Sequence, residues 1–270
     1  MVTGIGTPPP NGKDDPSAQA AAEPLSGASS AGPSADMAGD ANGSATRSLK
    51  WLFADWPAVA LADARLPAEE PDIPAEEAVQ VAAAVPRRRV EFATARQCVR
   101  RAAARLGVPP FILRNGADRA PVWPDHLVGS LTHTGGVPGG YCAAAVARAE
   151  DVKAIGLDAE NAQALPLHLW RFVLTSDEQA WLCGTDPRNQ GLLAKIIFSA
   201  KECFYKAQFP LTHRRLGFHD VEIVLDPPGG TFAVRLLLQG AAAPAHSDLD
   251  GSRGRFILDE ELVKTALALE

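Results

Sequence analysis

No apolar run in this chain approaches the roughly 20 residues that a membrane span requires, and the first residues lack the basic segment and apolar stretch of a secretory signal. Cysteine is scarce. The four, at positions 98, 142, 183 and 203, have no metal-ligand spacing, and Cys98, Cys142 and Cys203 sit among apolar or helical neighbours as small core residues do. A phosphate-cradling glycine loop is also missing, because Gly135 to Gly140 leads into a strand-like run without a following Lys-Ser or Lys-Thr. These absences argue against a membrane-spanning chain and a cysteine-based metal centre, and they predict a cytoplasmic protein with reduced thiols.

What is present suits an enzyme. The chain has 270 residues, 46% of them hydrophobic, and a formal net charge of -6. That is enough for a sizeable core in one domain of about 200 residues, with room for internal duplication. The mildly acidic balance argues against nucleic acid as the main partner. The arginines are nonetheless clustered, with Arg87, Arg88, Arg89, Arg96, Arg100, Arg101 and Arg105 close together, either as a solvated helix face or as a site for a phosphate-bearing ligand or an acidic protein. Residues 1–50 are mostly Gly, Ala, Pro and Ser, too poor in large apolar side chains to offset chain entropy, and are expected to be a disordered tail. A folded domain is expected over 51–270, in approximate halves 51–155 and 156–270.

Order should begin near Trp51, Leu52, Phe53 and Trp56. The pattern predicts a short helix over Ala75 to Ala84 and a better one over Glu91 to Leu106, ended by Gly107 and Pro109. Tyr141 to Arg148 and Val152 to Leu157 read as a hairpin whose second strand delivers carboxylates. Thr175 and Glu178 form a capping box that starts a helix through Trp181. Gly191 to Gln208 reads as a long helix stopped by Pro210, and strands return at Phe218 to Leu225, Thr231 to Leu238 and Gly254 to Asp259.

Two segments carry the chemistry. In Ile155-Gly156-Leu157-Asp158-Ala159-Glu160, strand alternation points Asp158 and Glu160 to one face. In the long helix, Lys195, Ser199, Glu202 and Lys206 share one stripe, while Leu193, Ile197, Ala200, Phe204 and Ala207 form the opposite, core-facing stripe. Asp158, Glu160 and Glu202 would then meet as three carboxylate ligands suited to Mg²⁺, or to Mn²⁺ in its place, beside lysines suited to phosphate. The bland alternative is an ordinary i,i+4 surface pair and a strand end.

Both segments resemble the signature motifs of 4′-phosphopantetheinyl transferases, a glycine-aspartate-x-glutamate segment and a lysine-glutamate-x-x-x-lysine helix. Further blocks, Arg88-Arg89-Val90-Glu91-Phe92-Ala93-Thr94-Ala95-Arg96, Asp118-Arg119-Ala120-Pro121-Val122-Trp123-Pro124 and Gly129-Ser130-Leu131-Thr132-His133-Thr134, resemble the enterobactin-synthetase-component-D-like, Sfp-like branch in the same order. The likeness covers roughly Arg88 to Phe209. Departures are Ala95, Ala159 and the loop from Gly135 to Gly140, where the family often has a glycine, a branched residue and a different loop. The resemblance implies an α+β fold of two similar halves packed as a pseudo-dimer with the active site between them. It implies a monomer that transfers 4′-phosphopantetheine from coenzyme A to a serine of an apo acyl or peptidyl carrier protein, in secondary metabolism or siderophore synthesis. It also implies that Glu202, Lys206 and Lys201 are catalytic, with Glu202 both ligand and proton acceptor. By the resemblance Arg96, Arg119 and His133, with Ser130 and Thr134 as lesser candidates, would hold the nucleotide end of coenzyme A; position alone suggests apolar surface around Phe204, Phe209 and Leu211 for the carrier. Two other readings stay open: a non-catalytic relative that only binds coenzyme A or a carrier, and an unrelated Mg²⁺-dependent phosphotransferase or nucleotidase.

Overall fold

The computed structural model describes residues 48–238 and 249–270. Residues 1–47 of the expected tail lie outside the described residues. A short helix, α1 (Leu49–Leu52), is followed by strand β1 (Ala60–Arg65), α2 (Ala75–Ala78) with a 3-10 turn at Val79–Val81, and the long α3 (Pro86–Arg105). Thus the helix expected to Ala84 breaks early, at a chain about to enter Pro86. Pro86 at the first helical position pre-sets α3, and Gly107, at φ +70, lets the chain leave it. Strands β2 (Arg114–Asn115), β3 (Pro121–Val122), β4 (Leu127–Thr134), β5 (Tyr141–Arg148) and β6 (Ala154–Asn161) follow. Then come α4 (Leu167–Val173), α5 (Ser176–Cys183), α6 (Pro187–Thr212), a 3-10 turn at Phe218–Asp220, and β7 (Val221–Asp226), β8 (Thr231–Leu236), β9 (Arg253–Leu258) and β10 (Leu262–Leu269).

The strands form a three-stranded sheet in the order β1-β5-β4, a five-stranded sheet in the order β6-β10-β9-β8-β7, and the small β2-β3 pair. Helix α3 covers the first large sheet and α6 the second, giving an α+β molecule in two halves. The run Cys142 to Ala147 on β5 is wholly buried because both of its faces are packed. Cys142, Ala144 and Val146 meet Ala95, Cys98, Val99 and Ala102 of α3, while Ala143, Ala145 and Ala147 face Ile155, Leu157 and Ala159 of β6. The small side chains allow this close approach from both sides.

Two expectations change here. The hairpin of β5 with β6 does not form: β5 already pairs with β1 and β4, so β6 pairs antiparallel with β10 instead. Pro210 does not stop α6, which runs two residues beyond it and ends at His213 in the left-handed region, φ 52. A proline near the helix end forfeits one backbone bond yet still fits the helical φ. By contrast, the capping box of Thr175 and Glu178 and the apolar stripe Leu193, Ile197, Ala200, Phe204 and Ala207 are present as expected.

Side chains bridge β4 and β6. Ser130 Oγ accepts the Leu157 amide (3.0 Å) and Thr132 Oγ1 the Ala159 amide (3.1 Å), so two buried hydroxyls satisfy amides of β6 on the side away from β10. On its helix side β6 comes so near α6 that a Cβ at Gly156 would collide with the Cys203 carbonyl. Gly156→Ala is therefore expected to destabilise the protein by roughly 1–3 kcal/mol through overpacking, read from the urea midpoint; an unchanged midpoint would mean that the crossing has slack. Thr132→Val should cost a similar amount, about 1–3 kcal/mol, by orphaning the Ala159 amide. Equilibrium unfolding checks this, and a neutral result would refute the bridge.

Candidate active site

The crossing of α6 over β6 sets one stripe of the helix against one face of the strand. Asp158, 5% exposed, is the hub. Its Oδ2 accepts the Ser199 hydroxyl (2.8 Å), and its Oδ1 accepts the Lys206 ammonium (2.7 Å) and, more distantly, the Thr132 hydroxyl (3.4 Å). Lys206 also donates to the Leu157 carbonyl (3.1 Å). Two residues along β6, Glu160 faces Lys195 at 3.5 Å. Glu202 makes no hydrogen bond among the described residues, yet lies close enough to feel both other carboxylates.

The electrostatics follow from that crowding. Burial raises the carboxyl pKa of Glu202, and the negative charge of Asp158 raises it further. Glu160 is raised in the same way, by burial first and then by Asp158. Burial works against the charged form of Lys206, but Asp158 outweighs it and lifts the ammonium pKa. In this conformation no three His, Cys, Asp or Glu side chains among the described residues converge closely enough to hold a metal ion. The expected meeting of three ligands is therefore incomplete, since Ser199 and Lys206 occupy the oxygens of Asp158 and Lys195 draws Glu160 aside. The donor chemistry nevertheless suits a hard divalent cation: three carboxylates, two of them disfavoured as anions by burial and by the charge of Asp158, gain from a positive charge between them.

His133, on β4, sits at the start of α3. Arg88 approaches its Nε2 at 2.7 Å, which makes Nε2 the acceptor and leaves the ring proton on Nδ1, 3.7 Å from Glu91 Oε2. Burial lowers the pKa of His133; Glu91 opposes this, while Arg88 and Lys206 add to it. Arg87 bonds both Glu91 (2.9 Å) and the Gly135 carbonyl (2.8 Å). Two guanidinium groups, Arg87 and Arg88, together with the imidazole of His133, thus adjoin the carboxylate cluster. Thr134, half-buried, lines a separate polar cleft of about 440 Å³ with Arg65, Gly135, Asn161 and Glu261. An apolar cavity of about 280 Å³ opens beside Glu202, lined by Phe204, Tyr205, Leu216, Phe218 and Val221.

Three assignments need correction or restriction. Arg96, 2% exposed, spends its donors on the Leu113 carbonyl (2.9 Å) and Asn115 Oδ1 (2.6 Å) and stacks on Phe92, and burial lowers its pKa to about 10. It is a core anchor rather than a phosphate grip. Lys201 points away from Glu202 and bonds the Val173 carbonyl (2.9 Å), Glu178 Oε2 (2.7 Å) and the Phe218 carbonyl (2.7 Å), so no donor is left for chemistry. Phe204 is buried in the core, which removes it from any docking surface. Arg119 is exposed at the tip between β2 and β3, at φ 69, with no side-chain hydrogen bond among the described residues. Sequence reasoning placed Ser199 on the site-facing stripe and Arg88 in the arginine cluster, but gave Thr132 no role, because its hydroxyl carries no signal until β4 and β6 are brought together.

Comparison with known proteins agrees with this layout. Residues 75–147 match the 4′-phosphopantetheinyl transferase N-terminal domain, and residues 154–261 match the 4′-phosphopantetheinyl transferase superfamily, with the break at the β5–β6 connection. The 4′-phosphopantetheinyl transferase Svp of Streptomyces mobaraensis is 45% identical over 195 residues, spanning 72% of this chain and 77% of its own. The transferases PptT of Mycobacterium tuberculosis and Npt of Nocardia iowensis are each 39% identical, over 198 and 202 residues, spanning 72% of this chain and 85% and 88% of their own. With two tandem domain matches and relatives at this identity and coverage, the chain belongs to the 4′-phosphopantetheinyl transferase superfamily and is an enzyme of that kind.

Proposed function

We propose that the donor is coenzyme A and the acceptor a serine hydroxyl of an apo acyl or peptidyl carrier protein. The observation that carries this reading is the pairing of Asp158, Glu160 and Glu202 with Lys206, beside Arg88 and His133. Coenzyme A offers a pyrophosphate between its nucleotide and pantetheine parts, and a site with carboxylates for a cation and a neighbouring lysine and arginine for phosphate oxygens fits such a group.

The serine oxygen attacks the phosphorus that bears the pantetheine arm. The bond from that phosphorus to the bridging oxygen breaks, and 3′,5′-ADP leaves with the electron pair. Glu202 takes the serine proton, a task suited to a carboxylate whose basicity is raised by its surroundings. Mg²⁺, or Mn²⁺ in its place, held by Asp158, Glu160 and Glu202, supplies charge neutralisation on the pyrophosphate when bound. Lys206, whose side chain keeps 29% of its exposure, reaches a phosphate oxygen. Arg88, His133 and exposed Arg119 hold the nucleotide end. Catalysis is then chiefly positioning and electrostatic stabilisation. In this reading the carriers belong to secondary metabolism or siderophore assembly, and the working unit is a cytoplasmic monomer; the absence among the described residues of a helix able to cross a membrane, and the four free cysteines, are compatible with it.

The test is intact-mass measurement of an apo carrier protein incubated with the enzyme and coenzyme A. One phosphopantetheine should be added with Mg²⁺ present, and none with excess EDTA; metal-independent transfer would remove the cation from the reading. Glu202→Gln should lower turnover by roughly 10²-fold or more while its melting temperature stays at or above that of the parent, because one of three mutually repelling carboxylates is gone. Turnover at the parental rate would exclude Glu202 from the chemistry.

A further inference from the structure

Lys201 stands next to Glu202 in sequence, but about 100° further round the helix, where its ammonium is buried. The Lys201–Glu178 pair has side chains only 2% and 1% exposed. All three ammonium donors are used, on the Val173 carbonyl at the end of α4, on Glu178 Oε2, and on the Phe218 carbonyl before β7. Glu178 is equally saturated. Its Oε2 also accepts the Thr175 amide (2.7 Å) and its Oε1 the Ile223 amide (2.7 Å). One buried pair therefore ties four backbone groups, in the two stretches 173–175 and 218–223, to the turn of α6 that carries Glu202. The segment it holds at Phe218 is also a wall of the apolar cavity beside Glu202.

A capping box needs only the Thr175 amide from its glutamate. Glu178 does more than cap, and a buried ion pair is poor value as a pure stabiliser, since well-packed apolar groups would serve as well. What such a saturated network does supply is a fixed orientation. From this geometry we infer that Glu178 is a positioning residue for the transfer reaction: through Lys201 it locks the Glu202 turn of α6 and the segment at Phe218 into their working relation. The inference rests on the transferase reading for its kinetic consequence, though not for the tether itself.

Glutamine at position 178 cannot reproduce the node. Whichever way its amide turns, an NH₂ group faces either the Ile223 amide or the donors from Thr175 and Lys201. Glu178→Gln, assayed at a temperature where circular dichroism shows it folded, is expected to lose turnover at least tenfold with the KM for coenzyme A within about threefold of the parent. Amide hydrogen exchange should quicken in residues 198–206 and 215–223 and remain unchanged in β4 and β5. The double variant Glu178→Gln/Lys201→Met, which removes both buried charges, should recover melting temperature without recovering turnover. Parental exchange rates in Glu178→Gln, or a double variant that regains both stability and turnover, would overturn the proposal and leave the pair as a stability element. Glu202→Gln run alongside separates the two questions: it should be inactive with parental exchange in these segments. If the parent itself fails to transfer, the transferase reading falls, while the exchange comparison still decides whether the node holds the helix.

Discussion

The site depends on how closely α6 crosses β6. At Gly156 the strand offers no side chain, and the Cys203 carbonyl sits in the space a Cβ would fill. Cys203 adjoins Glu202, so this contact fixes the height of Glu202 above the strand. Asp158 and Glu160 follow at two and four residues along the same face, and Lys206 follows one helical turn after Glu202. A larger residue at the crossing would move every one of these distances together. Burial of Cys203, and of Ile197, Ala200 and Phe204 around it, leaves the helix no easy direction in which to yield.

That closeness brings electrostatic tension. Three carboxylates are gathered in a half-buried seam, where desolvation and mutual repulsion disfavour the charged forms of Glu160 and Glu202. The protein relieves only part of this, with Lys206 on Asp158 and Lys195 on Glu160, and leaves Glu202 without a hydrogen bond among the described residues. A sequence selected for stability alone would replace such a cluster by apolar residues. Its place beside Arg88 and His133 is what the proposed reading uses: uncompensated carboxylate charge that a bound cation would offset.

How much of this was legible in the sequence depended on whether the signal was local. The apolar stripe of α6, the capping box at Thr175 and the i,i+2 carboxylates of β6 follow from a few neighbouring residues, and all appear as read. Arg96 and Lys201 show the limit. A cation inside a motif looks the same whether it faces ligand or core, and the groups that bury these two come from elsewhere: Leu113 and Asn115 for one, Glu178 and Phe218 for the other. Strand partners were hidden for a related reason. The hairpin reading assumed that adjacent strands pair, but β5 is saturated by β1 and β4, and the partner of β6 is β10, some hundred residues on. Leu262 to Leu269 is an apolar run of a kind that periodicity cannot assign to strand or helix by itself.

The seam between the halves completes the argument. Thr132 belongs to the first sheet, yet its hydroxyl both accepts the Ala159 amide of the second and approaches Asp158. Ser130 makes the parallel bond to Leu157, whose carbonyl in turn receives Lys206. Asp158, on β6, is thus held from two other elements at once: β4 of one half and α6 of the other. His133, two positions beyond Leu131 on the same strand β4, carries the Arg88 and Glu91 group from α3 to within electrostatic reach of Lys206. Neither half contains the whole constellation, and hydroxyl side chains rather than a backbone ladder set the register between them. The three carboxylates come from one half together with Lys195 and Lys206, while Arg87, Arg88 and His133 come from the other, so the whole constellation exists only where the two halves meet.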